Sequence, residues 1–223
     1  MRSAFQEHLR ELESELFNMG DMVITSINRS VSALKEQKLE LAKQIRRDDS
    51  RINDKRWQIE EQCIHLIATQ QPVATQLREI IAVLSIITDL ERMGDYAAGI
   101  AKIVIKMGEE PPVKPLIDIP RMAEIATAMI KRSLDAYAGR DAENARLISA
   151  DDDKVDELYH QLLRELISIM IENPRIITRC TYLMWTAHNL ERIGDRVTNI
   201  CERIIFLVTG ELVENLDKPE NQT

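Results

Sequence analysis

The sequence predicts an all-α protein built as two tandem three-helix bundles related by an internal repeat, and three observations predict it. Seven Gly and seven Pro in 223 residues are few, aromatics make up 4%, and charged residues stand at 30% against 44% hydrophobic. That profile suits helices rich in Leu, Ile, Glu, Lys and Arg. Apolar residues recur at helical spacing through several long segments. The third observation is a duplication: Asp89 to Ile100 reads DLERMGDYAAGI, and Asn189 to Ile200 reads NLERIGDRVTNI.

The elements follow in order. Leu9, Leu12, Leu16, Met19, Val23, Ile27, Val31 and Leu34 define one apolar stripe, so the first helix runs from about Ser3 to Glu36. After the short stretch KLELAKQIRR a second helix spans about Asp48 to Gln70, broken by QQP at Gln70 to Pro72. A third runs from about Val73 to Met107. GEEPPVKPLID, Gly108 to Asp118, holds the main concentration of Gly and Pro and is the linker. The second half repeats the order: a helix from Asp118 to Ala138, a turn at Gly139, a short element at DAENARLIS, a helix from Asp151 to Glu172, a break at ENP, and a last helix from Arg175 to Thr209. Landmarks keep step, with DDSRIND at Asp48 against DDDKVDE at Asp151 and Pro72 against Pro174. The expected domains are 1–108, a linker 109–117, and 118–212, followed by a polar tail 213–223.

On a helical wheel at about 100° per residue, Ile86, Ile87, Leu90, Met93, Gly94, Ala97 and Ala101 share one face, which is the core face. Glu91 and Asp95 then lie together on the flank, one turn apart. Like charges at i and i+4 repel by a few tenths of a kcal/mol, so the pair is unfavourable unless a cation sits between them. In the second copy His188, Glu191, Asp195, Asn199 and Glu202 form one oxygen-rich stripe, whereas the first copy has Thr88, Glu91, Asp95, Gly99 and Lys102. The two sites are therefore expected to differ. The facing helices offer further i and i+4 pairs, Asp49 with Asn53 and Asp152 with Asp156, and two such pairs on antiparallel helices present the oxygens that hard or borderline divalent metals take. Acids in a helix's first turn also serve as caps, and Arg92 and Arg192 could instead make the carboxylates a salt-bridged surface.

These residues carry a resemblance. Two copies of L-E-R-[MI]-G-D on the last helix of each unit, MGDMV in the first helix and D-x-x-[VI]-[ND] opening the second resemble the PhoU family over nearly the whole chain. The resemblance implies E/D-x-x-x-D motifs that hold iron or zinc, including small clusters, and a homodimer. It also implies a negative regulator of phosphate uptake and phosphate-starvation signalling, with the phosphate-transporter ATPase subunit and a sensor histidine kinase as partners. Lys102 opposite Glu202, and Asn53 in place of an acid, set the first site apart from that pattern.

Other classes are less well supported. The formal net charge of −8 argues against an electrostatic grip on nucleic acid or anionic lipid. No apolar run reaches the ~20 residues that span a bilayer, and MRSAFQEHLRELESEL lacks an export h-region, so a cytoplasmic protein without membrane insertion is expected. Cys63, Cys180 and Cys201 lack C-x-x-C spacing and read as buried small hydrophobes. ELYH, Glu157 to His160, has the E-x-x-H form of di-iron carboxylate enzymes, but that chemistry needs two such motifs and the first half has none. An enzyme is not expected; a metal-free helical adaptor is the remaining alternative.

Overall fold

The computed structural model describes residues 2–211, with side chains from Phe5 onward; the predicted tail 213–223 and the last residue of the second predicted domain lie outside the described residues. Among the described residues there are seven α-helices: α1 Arg2–Glu36, α2 Leu39–Gln70, α3 Thr75–Met107, α4 Asp118–Gly139, α5 Ala142–Ser149, α6 Asp152–Glu172 and α7 Ile177–Thr209. A single 3-10 turn, Pro174–Ile176, precedes α7, and no strand occurs among the described residues.

Two boundaries differ from the sequence expectation. α2 starts at Leu39, nine residues before the expected Asp48, so KLELAKQIRR is helical and Asp49 sits well inside the helix. Ala42 and Ile45 are its only buried residues before Ile52, too sparse a stripe to show among Lys, Arg, Gln and Asp. In the second half the matching segment is split into α5 and α6. Stepping by the separation of Asp49 and Asp152, buried Ala42 matches buried Ala145 and buried Ile45 matches buried Ile148. The break therefore falls between matched registers. The turn expected at Gly139 falls one residue later: Gly139 ends α4, and Arg140, at φ 54°, takes the left-handed conformation.

Short side-chain caps fix the later breaks. The Asp141 carboxylate accepts the Asn144 N–H at 2.9 Å, and the Asn173 carbonyl accepts the Arg175 N–H at 3.3 Å. α2 closes on Gln71 at φ 47°, just before Pro72.

α1, α2 and α3 pack on one another, as do α4, α6 and α7, with α5 lying on α7 and α4. The two units are joined by α3 against α7 and by α1 against α4, and the buried side chains form one continuous core. The predicted stripe of α3 and its counterpart Leu190, Ile193, Val197 and Cys201 on α7 are all buried. At the α1–α4 crossing a Cβ on Gly20 would overlap Leu134 Cδ1, so the Gly of MGD marks a close helix approach. α3 and α7 run antiparallel, with Asn199 Nδ2 donating to Asp89 Oδ1 at 3.4 Å while Gly99 faces Asn189 at the other end. No helix is long and apolar enough to cross a membrane among the described residues. All three cysteines are buried and none is in a disulfide, and burial pushes the Cys63 thiol up to about 12.

Candidate metal centre

Each L-E-R-x-G-D segment lies on a long central helix, with its Leu and Gly buried and its Glu and Asp on the flank that meets the preceding helix. In the first unit Asp49 comes up from α2 beside Glu91 and Asp95. Burial, then the charges of Asp95 and Glu91, hold its carboxyl above the usual range. Glu91 Oε1 lies 3.8 Å from Arg56 Nη1, and Arg92 Nη1 donates to Asp95 Oδ2 at 3.1 Å. Asn53 Oδ1 and Glu91 Oε2 are buried without a hydrogen bond.

The second unit repeats the plan with fewer cations. Asp152 is buried at the start of α6, and Glu191 feels both Asp195 and Asp156. Burial, then those two charges against Arg192, push the Glu191 carboxyl up to about 7. Its Oε2 makes no hydrogen bond, with His188 Nδ1 3.3 Å away. Arg192 Nη1 donates to Asp195 Oδ2 at 2.6 Å. Tyr159 stands where the first unit has Arg56, and burial together with Glu191 and Asp156 raises its phenol. The two sites differ in Arg56 against Tyr159, beside the expected Asn53 against Asp156 and Thr88 against His188, whereas Glu202, also expected to set the second site apart, lines the α3–α7 groove.

The Gly of the motif has a spatial reason. A Cβ on Gly194 would collide with Asp152 Oδ1, whereas a Cβ on Gly94 would meet Ile52 Cδ1 at 3.1 Å and Asp49 Oδ1 only at 3.6 Å. Absence of a side chain at this point admits the carboxylate of the next helix to the cluster.

The structure brings together Asp49, Glu91 and Asp95, and likewise Asp152, Asp156, Glu191 and Asp195. It does not bring Asn199 and Glu202 to the second group. α6 begins at Asp152, level with Gly194, so it offers nothing to the next turns of α7. There α3 is the neighbour: Asp89 accepts from Arg196 Nη1 at 3.2 Å and from Asn199, and Glu202 lines the same α3–α7 groove. Asp89, buried and raised by that burial against the hydrogen bonds of Arg196 and Asn199, was not singled out by sequence; its matching residue Asn189 was the only hint. Glu157 and His160 are both exposed, so the two possible ligands of ELYH face solvent and are not a bundle-core ligand pair.

Donor chemistry suits a hard or borderline divalent cation, since the clusters offer carboxylate oxygens, one of them an orphaned buried Glu191 oxygen, in a cradle that a Cβ at position 194 would fill. In their present rotamers no three His, Cys, Asp or Glu side chains converge to ligating distance among the described residues.

Residues 16–104 and again 119–204 match the family described as the PhoU domain. The chain belongs to the PhoU family. It is 42% identical over 209 residues to the phosphate-specific transport system accessory protein PhoU homolog of Rhizobium meliloti (strain 1021), covering 93% of this chain and 88% of that protein. The Clostridium acetobutylicum homolog of the same name is 41% identical over 214 residues, covering 96% and 98%. Among solved structures, PhoU from Pseudomonas aeruginosa superposes with a TM-score of 0.87 at 36% identity, covering 93% of this chain and all of that one. The phosphate transport system regulatory protein PhoU from Streptococcus pneumoniae gives 0.88 at 33% identity, covering 94% and 99%. Two PhoU domains in one all-α chain are thus the architecture of this protein.

Proposed function

We propose that this PhoU-family chain is a cytoplasmic negative regulator of phosphate uptake and phosphate-starvation signalling that acts through protein contacts and not by catalysis. Its relatives' name, accessory protein of the phosphate-specific transport system, supports the transport-linked role. The partners in this reading are the phosphate-transporter ATPase subunit and a sensor histidine kinase, with a second copy of the chain as dimer partner. Large apolar side chains on the outer helices, Trp57 at 60% exposure and Ile171 at 76%, are suited to protein surfaces.

The observation that carries the metal part is the orphaned, partly desolvated Glu191 beside Asp195, Asp156 and Asp152. Glu191, Asp195, Asp152 and Asp156 would hold the ion in the second unit, and Glu91, Asp95 and Asp49, with Asn53, in the first. A bound iron or zinc ion would supply positive charge that offsets the mutual repulsion of these carboxylates. The chain's own residues do the rest: Gly194 admits Asp152, and Arg192 neutralises Asp195 until it is displaced. A specific observation favours the metal-free adaptor as rival, since Arg92–Asp95 and Arg192–Asp195 already satisfy one carboxylate in each motif.

Melting curves separate the two. Glu191→Ala/Asp195→Ala should match or slightly exceed the wild type in chelator, because a like-charge pair has gone and Ala is the better helix former. With divalent metal only the wild type should gain, by about 2.7 kcal/mol at a hundredfold excess over Kd. A mutant that loses stability in chelator makes these carboxylates structural ion-pair partners. The regulatory role is tested by deletion in phosphate-rich medium, where starvation genes should be derepressed.

A further inference from the structure

A positive groove lies between the start of α2 and the end of α3, lined by Lys43, Arg46, Arg47 and Ile105 and about 330 Å³ in volume. The first three occupy i, i+3 and i+4 of one helix and are exposed, so Arg46 and Arg47 each crowd a like charge against Lys43, which is mildly unfavourable. Lys43 is offset by Glu40 at 2.6 Å. Neither Arg46 nor Arg47 has a carboxylate within 4.0 Å among the described residues; Asp48 is turned to Arg29 at 3.0 Å, and Asp49 to the acidic cluster on α3. α2 has no side-chain N-cap either, since Lys38 occupies that position without a capping hydrogen bond.

The second unit is an internal control. In the register that pairs Ala42 with Ala145 and Ile45 with Ile148, the equivalents of Lys43, Arg46 and Arg47 are Arg146, Ser149 and Ala150, and Ser149 is buried. The second repeat, whose helix breaks at Ala150, carries one cation at these positions, so the repeat pattern does not dictate three. A local rule broken in one repeat and kept in the other marks a place under functional constraint.

We infer that Lys43, Arg46 and Arg47 form a binding site for a phosphoryl group, with the two guanidinium forks and one ammonium converging on its oxygens. Arg forks pair in two-point fashion with phosphate as with carboxylate oxygens, and a phosphoryl group has oxygens enough to serve two forks and an ammonium at once. The net charge of −8 disfavours both an extended polyanion such as duplex DNA and a broad electrostatic grip on an anionic membrane, so a single phosphoryl group held by this local cluster is the better fit. It comes either as free inorganic phosphate or as the headgroup of an anionic phospholipid. This site is separate from the acidic clusters and stands or falls apart from the metal reading.

The test uses the full purified chain. Inorganic phosphate is titrated by calorimetry, and vesicles of phosphatidylglycerol in phosphatidylcholine are compared with pure phosphatidylcholine by cosedimentation at about 50 and 200 mM salt. Arg46→Gln/Arg47→Gln should lose about tenfold in affinity, Lys43→Gln less, and Arg146→Gln nothing, with unchanged circular dichroism in all. Binding of phosphate alone assigns the site to the free anion, and salt-sensitive binding of the anionic vesicles alone assigns it to a headgroup. No binding to either, full binding by the double variant, an equal loss in Arg146→Gln, or duplex DNA competing as well as vesicles overturns the inference.

Discussion

Glu191 carries more of the chemistry than any other single residue, because its carboxyl is held near 7 in the folded chain against an ordinary value of 4.5. The folded state then binds this proton more tightly than the unfolded state. Its contribution to stability is fully present below about 4.5 and is lost as pH rises to about 7. Glu191→Gln should flatten that part of the curve, so the difference in Tm between wild type and variant should grow across pH 4.5 to 7; parallel curves would show that Glu191 titrates normally. Gly194 gives a second residue-scale expectation. Gly194→Ala must push Asp152 aside and should cost about 1–3 kcal/mol by overpacking, against a helix-propensity gain of about 1. Gly94→Ala, which meets Ile52 Cδ1 and Cγ2 at 3.1 and 3.2 Å and needs a shift of only a few tenths of an ångström, should cost less than Gly194→Ala, and urea unfolding of the two variants compares them directly. The acids of both motifs were legible from the i, i+4 spacing, because a helix fixes which side chains share a face. Arg56, Tyr159 and Asp89 were not, since their importance depends on which residue of another helix stands opposite.

At the scale of elements, the helices themselves were readable from apolar periodicity, and the one large boundary error, at α2, fell where only Ala42 and Ile45 anchor the stripe. The Pro-rich segment between α3 and α4 carries no helix, yet it is tied down. Lys114 bridges Asp118 at 3.0 Å and also Glu165, while Arg179 donates to the Pro111 carbonyl and lies 3.4 Å from Glu110. Limited proteolysis should therefore cut slowly, at the exposed Glu109–Glu110 end, and Arg179→Ala should raise the rate several-fold. Equal rates in the two proteins would mean that the ion pairs do not restrain the segment. The halves should still elute together after cutting, because α3 against α7 is buried along its length.

For the whole molecule, the α3–α7 seam is the main junction, and its polar key is Asp89 between Arg196 and Asn199. Asp89→Ala would leave the half-buried Arg196 guanidinium without its carboxylate and should cost about 1–3 kcal/mol, whereas Asp89→Asn, the residue the second repeat carries at position 189, should cost less. Chemical denaturation of both variants gives the comparison, and equal loss would remove the special role of the charge. None of this interface could be read from either repeat alone, since a duplicated pattern describes what each half looks like and is silent on how one half meets the other.

The way the halves meet has an ancestral consequence. Asp89 faces Asn199 while its counterpart Asn189 faces Gly99, the counterpart of Asn199, so exchanging the two halves maps the seam onto itself. An isologous seam of that sort is what a two-fold dimer of a single bundle leaves behind once its gene is doubled and fused. The copies have since diverged at the seam: Asp for Asn, Gly for Asn, and Tyr96 for Arg196. A first bundle paired with its own twin would set Asp89 against Gly99 and forfeit both Arg196 and Asn199, leaving a buried charge unmatched. Divergence has thus converted a self-recognising surface into a lock and key within one chain, and mixed fragments should choose the other half in preference to themselves.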